Sequence, residues 1–226
     1  MKKIVIIIVV LALIGIGVWV LLSIKKGVEE GVVSPGGEAV TPGEELSLTE
    51  VFGKAKDISS FKYDVVTTVS GETAVTTKMW WKGKKMRMEG TFEGKNMVYL
   101  LDTDKQTAYM YFPSENTAMQ IDLSEAQGTV GESPAEQSES ITQYNPTTLG
   151  TEVLDGKNCL VIEYATESGK IKSWVWTEYG LPIRTETTTE EGTSVVELKN
   201  IEFADISDSM FELPAGAQMI ELPFGP

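Results

Sequence analysis

The chain has 226 residues, with 33 acidic and 19 basic side chains, no histidine and one cysteine, for a formal charge of −14. A field of that sign repels phosphate backbones, so nucleic acid is not an expected partner. Without histidine the commonest general acid/base and metal ligand are missing, and the lone Cys159 leaves neither an internal disulfide nor a cysteine-rich metal site.

Residues 4–24, IVIIIVVLALIGIGVWVLLSI, form an uncharged apolar run flanked by Lys2, Lys3, Lys25 and Lys26. About 20 such residues cross a hydrocarbon core. The run exceeds the apolar stretch of a cleaved signal peptide, and no small-residue cleavage site follows it. Residues 1–26 therefore read as an uncleaved transmembrane signal anchor. The short amino-terminal tail and the large acidic remainder place the amino terminus inside. The protein is expected at the cell membrane, single-pass, with its carboxy-terminal domain extracytoplasmic. Residues 27–46, GVEEGVVSPGGEAVTPGEEL, lack periodicity and read as a solvated linker. Residues 47–226 are expected to form one domain.

That domain opens with SLTE, a capping box with Ser47 as cap and Glu50 three residues on, and with Leu46 and Val51 as hydrophobic staple. Leu48, Val51, Phe52 and Ala55 recur at helical spacing as far as Ile58. Strands follow: FKYDVVTTVSG, TAVTTKMWWKG, KKMRMEGTF, NMVYLLD, QTAYMYF and AMQIDL. The Asp122–Tyr144 segment interrupts them with two weak helical signals, DLSEAQG closed by Gly128, and SPAEQSESITQY with Ser133 as cap, Pro134 first in the helix and Glu136 three after the cap. Strands resume at EVLDGKNCLVIEYAT, where Asp155-Gly156 is a two-residue hairpin signal, and Cys159 there reads as a small core residue. GKIKSWVWTEYGLPIRTETTT, turning at Gly180-Leu181-Pro182, and TSVVELKNIEF complete the set. The expected fold is mainly β (α+β): a meandering antiparallel sheet, curled into an incomplete β-barrel covered by short helices, with the first helix as lid.

Alternation assigns faces. Met79 with Trp81, Met86 with Met88, Met97 with Tyr99 and Leu101, and Ala108 with Met110 and Phe112 each share a side. Later, Leu160, Ile162 and Tyr164 share a side, as do Trp174 and Trp176, then Val196 and Leu198. All are expected to point into the concave side. Alternation alone does not separate a filled core from a hollow one. Methionine adapts to variable shapes and tryptophan supplies broad apolar surface, so the candidate ligand cavity is Trp81, Met88, Met110, Phe112, Trp174 and Trp176. Lys170 and Lys172 lie on the tryptophan alternation, nearer the strand start, as a polar rim.

The stretches WWKGKKMRMEG and GKNMVYLLDTDKQTAYMYFP, then LDGKNCLVIEY, KIKSWVWTEYGLPIRTE and NIEFADISDSMFELPAG, resemble in that order the LolA-like lipoprotein carriers, over roughly residues 45–222. The resemblance implies an incomplete antiparallel barrel whose apolar cavity receives acyl chains, with a basic rim residue matched here by Lys84, Lys85 or Arg87. Lys84 and Arg87 are taken as rim candidates. Lipid or an acylated protein is the implied partner, besides the membrane through residues 4–24. A tether of about 20 residues reaches only ~25 Å, so this copy is not expected to ferry cargo between two membranes.

No Ser-His pair, P-loop or dinucleotide fingerprint is present, and DTD at Asp102–Asp104 lacks the Asn/Asp-x-Gly that a calcium loop needs. No enzyme activity, catalytic residue, cofactor or metal site is expected. The two functional expectations are a membrane-anchored lipid- or acyl-binding module and, alternatively, a ligand-free interaction or sensory domain of the cell envelope with the same fold.

Overall fold

A computed structural model describes residues 47–69, 72–92, 94–123, 132–166, 169–190 and 192–220. The anchor at 4–24, the linker and most of DLSEAQG lie outside the described residues. Among the described residues no helix is long and apolar enough to cross a membrane.

The structure is mainly β. Twelve strands join in one open sheet in the order β12-β6-β5-β4-β3-β2-β1-β11-β10-β9-β8-β7. They are β1 (Ser60–Val69), β2 (Glu72–Lys82), β3 (Lys85–Phe92), β4 (Lys95–Asp102), β5 (Thr107–Phe112), β6 (Thr117–Asp122), β7 (Thr147–Leu154), β8 (Lys157–Thr166), β9 (Gly169–Trp176), β10 (Leu181–Thr189), β11 (Gly192–Phe203) and β12 (Gln218–Met219). The pairs established by register are antiparallel except β12 on β6, which is parallel. The order departs from a simple meander. β6 and β7 are consecutive in sequence yet far apart in the order, because the long 122–146 connection frees the chain from the hairpin rule that holds elsewhere. The chain groups into two compact units, one with Thr67–Ala74, Gly131–Glu197 and the residues up to Ile58, the other with Ser59–Val66, Val75–Val130 and Leu198–Pro226.

In the first unit, helix α1 (Leu48–Gly53) runs into a 3-10 turn at Lys54–Asp57, and α2 (Pro134–Ile141) follows the capping residue Ser133. Their starts differ. Ser133 accepts from the Glu136 amide while Glu136 reaches back to the Ser133 amide, at 3.2 and 2.9 Å. The SLTE box does not form: α1 starts where expected, but the Ser47 side chain makes no capping bond. Only six residues long, α1 is held by packing. Val51 and Phe52 bury against Ile141 of α2 and Leu160, Ile162 and Val175 of the sheet. Burial of side chains of this kind contributes roughly 1.5–3 kcal/mol each.

The helix layer also touches the β9–β10 turn, which spans Thr177–Gly180, so that Leu181 already begins β10. Lys54 Nζ donates to the Thr177 carbonyl at 2.6 Å, and the Ser138 hydroxyl to the Gly180 carbonyl at 2.7 Å. Gly180 has φ +69, and a Cβ there would collide with the Val51 carbonyl oxygen, so glycine is required twice over. At the β7–β8 hairpin Asp155 and Gly156 both have positive φ, 49° and 73°, as the two-residue turn demands.

Register corrects one face assignment. Leu160 pairs with Val175 and Val161 with Trp174. Leu160, Ile162 and Val175 therefore face the helices, while Trp174 and Trp176 lie on the other side of the same strands with Cys159 and Val161. The expectation put all of them on one side because alternation gives phase within a strand, not between strands. Helix α1 covers the Leu160 side and does not lid the tryptophans. Cys159 is buried, and burial pushes its thiol up to about 11.

In the second unit the pairing supports the face assignments made from Met79 to Phe112, whereas Val196, across Thr185 from Ser173, lies on the Val175 side of the first unit's strands and not with Trp174. Met79 pairs with Met88, Met88 with Tyr99, Tyr99 with Met110 and Met110 with Met119, a row running across five strands. A neighbouring row runs from Trp81 through Met86, Leu101 and Ala108 to Ile121. The opposite face of β4–β6 is apolar too: Val98, Leu100, Tyr111 and Ala118 cluster there under Leu213 and Ala217 of the carboxy-terminal segment.

Candidate functional site

Four of the six cavity candidates fall on one sheet face of the second unit. Trp81 stands on β2, Met88 on β3, and Met110 and Phe112 on β5, with Phe112 two residues from Met110 and hence on its side. Trp81, Met88 and Met110 are buried and Phe112 is half-buried. Six of the chain's nine methionines share this face: Met79, Met86, Met88, Met97, Met110 and Met119.

Its polar groups are few. Trp81 Nε1 donates to Tyr63 Oη at 2.9 Å, and the Tyr63 ring stacks on Phe61 with centroids 5.2 Å apart. Burial drives the Tyr63 phenol far above its usual range, against a smaller opposing effect of the Trp81 bond. Tyr99, in the middle of the methionine row, is only 1% exposed. Burial pushes its phenol up to about 12. Thr117 pairs with Phe112 and so shares the face, and its hydroxyl is buried without a partner among the described residues. Tyr99 was legible as a face residue from its alternation with Met97 and Leu101.

The rim candidates do not sit on this face. Arg87 lies between Met86 and Met88 and opposes Trp80, which puts it on the reverse side. There its guanidinium donates to Glu89 and, at 2.9 Å, to the Met210 carbonyl, 5.9 Å from the Trp80 ring centroid. Lys84 is an exposed residue of the β2–β3 turn, whose carbonyl accepts from the Thr103 amide at 3.0 Å. Lys82 donates to the Ile206 carbonyl at 2.7 Å, and Lys85 meets Asp208 at 3.1 Å. That bond holds the Lys85 ammonium above, and the Asp208 carboxyl below, their usual ranges. These cations fasten the acidic 205–210 segment across the back of the sheet. The match of Asp205 and Asp208 to the basic hairpin was the available signal.

Trp174 and Trp176 belong to the first unit, each beneath cations of the same or neighbouring strands. Trp174 is 5% exposed; its Nε1 donates to Glu152 at 2.7 Å, Lys172 Nζ stands 4.3 Å from a ring centroid and Arg184 Cζ 5.2 Å. Arg184 pairs in turn with Glu186 at 2.6 Å and Glu197 at 3.1 Å. Trp176 has Tyr179 at 4.4 Å between centroids and Lys157 Nζ at 5.3 Å. Cations seated on aromatic faces stabilise by about 0.5–2 kcal/mol, and here they take up the ring surface that a greasy ligand would use. Lys172 does share the Trp174 side, as the alternation indicated, while Lys170 pairs with Glu163 at 2.8 Å.

Among the described residues no group of three or more cysteine, aspartate or glutamate side chains is arranged to hold a metal ion. Asp102 serves its turn: burial works against its charge, but the Lys105 amide and ammonium outweigh that and hold the carboxyl below its usual range.

No family model matches the chain, and no curated protein does. Solved structures do. An uncharacterized conserved protein from Thermus thermophilus superposes with TM-score 0.55 at 10% identity, over 77% of this chain and 96% of that one. LprF from Mycobacterium bovis gives TM-score 0.48 at 14% identity, covering 75% and 95%. A LolA superfamily protein from Nitrosomonas europaea gives 0.36 at 16%, covering 74% and 98%. The likeness to the Thermus protein is one of fold.

Proposed function

We propose that the chain is a membrane-anchored, extracytoplasmic module that binds lipid or acyl chains in an apolar half-barrel cavity whose floor is the methionine-rich face of β2–β6. The reading is carried by the concentration of six methionines on that face. A packed core is well served by branched aliphatics with fixed rotamers, which is what the first unit uses under its helices. Methionine is unbranched and polarizable, and it remoulds around occupants of varying shape. The sequence resemblance to acyl-chain carriers and the apolar segment at 4–24 support the same reading. It needs no catalytic group.

The second reading, a ligand-free interaction domain, draws on β7. This edge strand exposes Leu149 and Val153, at 52% and 45%, the kind of edge that accepts an added strand. One experiment separates the two. The full chain is carried from its host membrane into nanodiscs of ether-linked lipid, and its organic extract is analysed by mass spectrometry. Ester- or amide-linked acyl lipid retained at near-stoichiometric level supports the binding module. A clean extract that stays clean when acyl lipids are offered overturns it in favour of the interaction domain.

A further inference from the structure

Strand β7 is an outer edge of the sheet: β8 pairs with one side of it, and no strand covers the other among the described residues. Natural edges are blunted by lysine, proline or short length, because their free amides and carbonyls recruit another strand. β7 runs for eight residues, Thr147–Leu154, with neither lysine nor proline among them. Its one charge, Glu152, is already engaged by Trp174 Nε1 at 2.7 Å and by Lys172 Nζ at 3.7 Å. The edge is therefore a locally neutral strip on a chain of formal charge −14. Its large apolar side chains are turned outward. Leu149, which the β-bulge leaves without a counterpart on β8, and Val153 are both exposed. Thr151 pairs with Leu160 and Val153 with Asn158, so both lie on the Leu160 side, and alternation adds Leu149 to them.

We infer that β7 pairs antiparallel with β7 of a second copy of this chain, about a two-fold axis through Thr151. The pairing goes beyond lipid binding and holds whether or not the methionine face takes an occupant. Its register follows from what the edge tolerates. When identical strands pair antiparallel, outward-pointing backbone groups must meet outward-pointing ones, so the axis passes through a residue and not between two. Centred on Glu152, the pair would set two carboxylates opposite each other. Centred on Gly150, it would set Leu149 and Val153 opposite threonines. Centred on Thr151, it sets each Leu149 opposite the other copy's Val153, and Glu152 opposite Gly150. Both exposed apolar side chains are then covered, twice over by symmetry, and no like charges meet. A partner of unrelated sequence would have to bring its own matching apolar pair, whereas a second copy supplies it by symmetry. One short edge is smaller than the contact of a stable free dimer, so the test confines the copies to one surface.

The full chain is reconstituted into liposomes and mildly oxidised, and disulfide-linked dimer is read on a non-reducing gel. Residues directly opposite across an antiparallel pair stand within disulfide reach. Wild type should stay monomeric, because Cys159 is buried and pairs with Glu152, on the face away from Thr151. Thr151→Cys should link. Thr147→Cys, on an exposed residue of the same strand, would lie roughly 26 Å from its own copy in this register and should stay at the wild-type level. Leu149→Cys and Val153→Cys, each roughly 13 Å from its own copy, should stay single alone and link when the two are mixed. Adding Val153→Lys to Thr151→Cys should lower linkage about 10-fold through two lost apolar pairs. The mixed copies keep the test sharp if Thr151→Cys fails to fold. Linkage at Thr147 as strong as at Thr151 overturns the pairing, since it marks random collision. Leu149→Cys or Val153→Cys linking as strongly alone as when mixed overturns it too. No linkage in Thr151→Cys and none in the mixed copies also overturns it, and leaves the edge to a partner of different sequence.

Discussion

The two units solve one problem, covering an apolar sheet face, with different materials. In the first, Val51, Phe52, Ile141, Leu160, Ile162 and Val175 meet helix against sheet, and the described residues there contain no methionine. Its turn is locked by Gly180, into whose empty Cβ position the helix backbone fits. In the second, methionines alternate with Tyr99 across the strands. Branched side chains with few rotamers favour one arrangement; unbranched thioethers accept several. The contrast assigns fixed architecture to the first unit and adaptability to the second.

The sharpest way to break that assignment is at Gly180. Gly180→Ala forces a Cβ against the Val51 carbonyl at positive φ and should destabilise by roughly 3–5 kcal/mol, whereas Gly156→Ala, with open space around it, should cost about 1–2 kcal/mol. Denaturant titration compares them, and equal losses would show that the helix layer is not locked there. Next, Ile162→Ala should cost roughly 3 kcal/mol, while Met88→Leu and Met110→Leu should each stay under about 1.5 kcal/mol. If the methionine swaps match the isoleucine truncation, the second face is as fixed as the first.

A third comparison is alkaline. Tyr99 and Tyr164 are both raised by burial from 10.0 to about 12, Tyr164 with a smaller push from Tyr144. The unfolded chain loses these protons first, so their contribution is complete below about pH 10 and disappears as pH rises through about 12. Each amounts to roughly 2–3 kcal/mol. Tyr99→Phe and Tyr164→Phe should each flatten the fall in stability over that window, measured by denaturant titration at successive pH values. The smallest effects lie at the helix starts. Ser133→Ala should cost about 1 kcal/mol through its lost capping box, and Ser47→Ala less than about 0.5 kcal/mol, because no capping bond exists there to lose.

Much of this was legible beforehand. Period-two alternation from Met79 to Phe112 gave the methionine face, because short turns fix the register between those strands. Asp155-Gly156 and Ser133-Pro134 announced their elements through local chemistry. What local pattern lacks is phase across strands and knowledge of partners. Trp174 and Leu160 each alternate correctly within their own strand, and only the β8–β9 register shows that they point apart. Arg87 follows the same rule, since a residue flanked by two inward methionines faces outward. Gly180 looked like an ordinary turn glycine. Its clash partner is Val51, far earlier in the chain, and no window of sequence contains both.

Cys159 has a consequence of its own. It is the chain's single thiol, paired in register with Glu152 on one side and Trp176 on the other, and it has no measurable exposure. A group so placed reacts with an alkylating reagent only when the strands around it part. Its modification rate is therefore a clock built into β8, and it needs no added label. In the limit of fast reclosing the rate reports the free energy of opening; with reagent in excess it reports how often opening occurs. Run with and without acyl ligand, that clock would tell whether filling the methionine face of one unit is felt by the strands of the other.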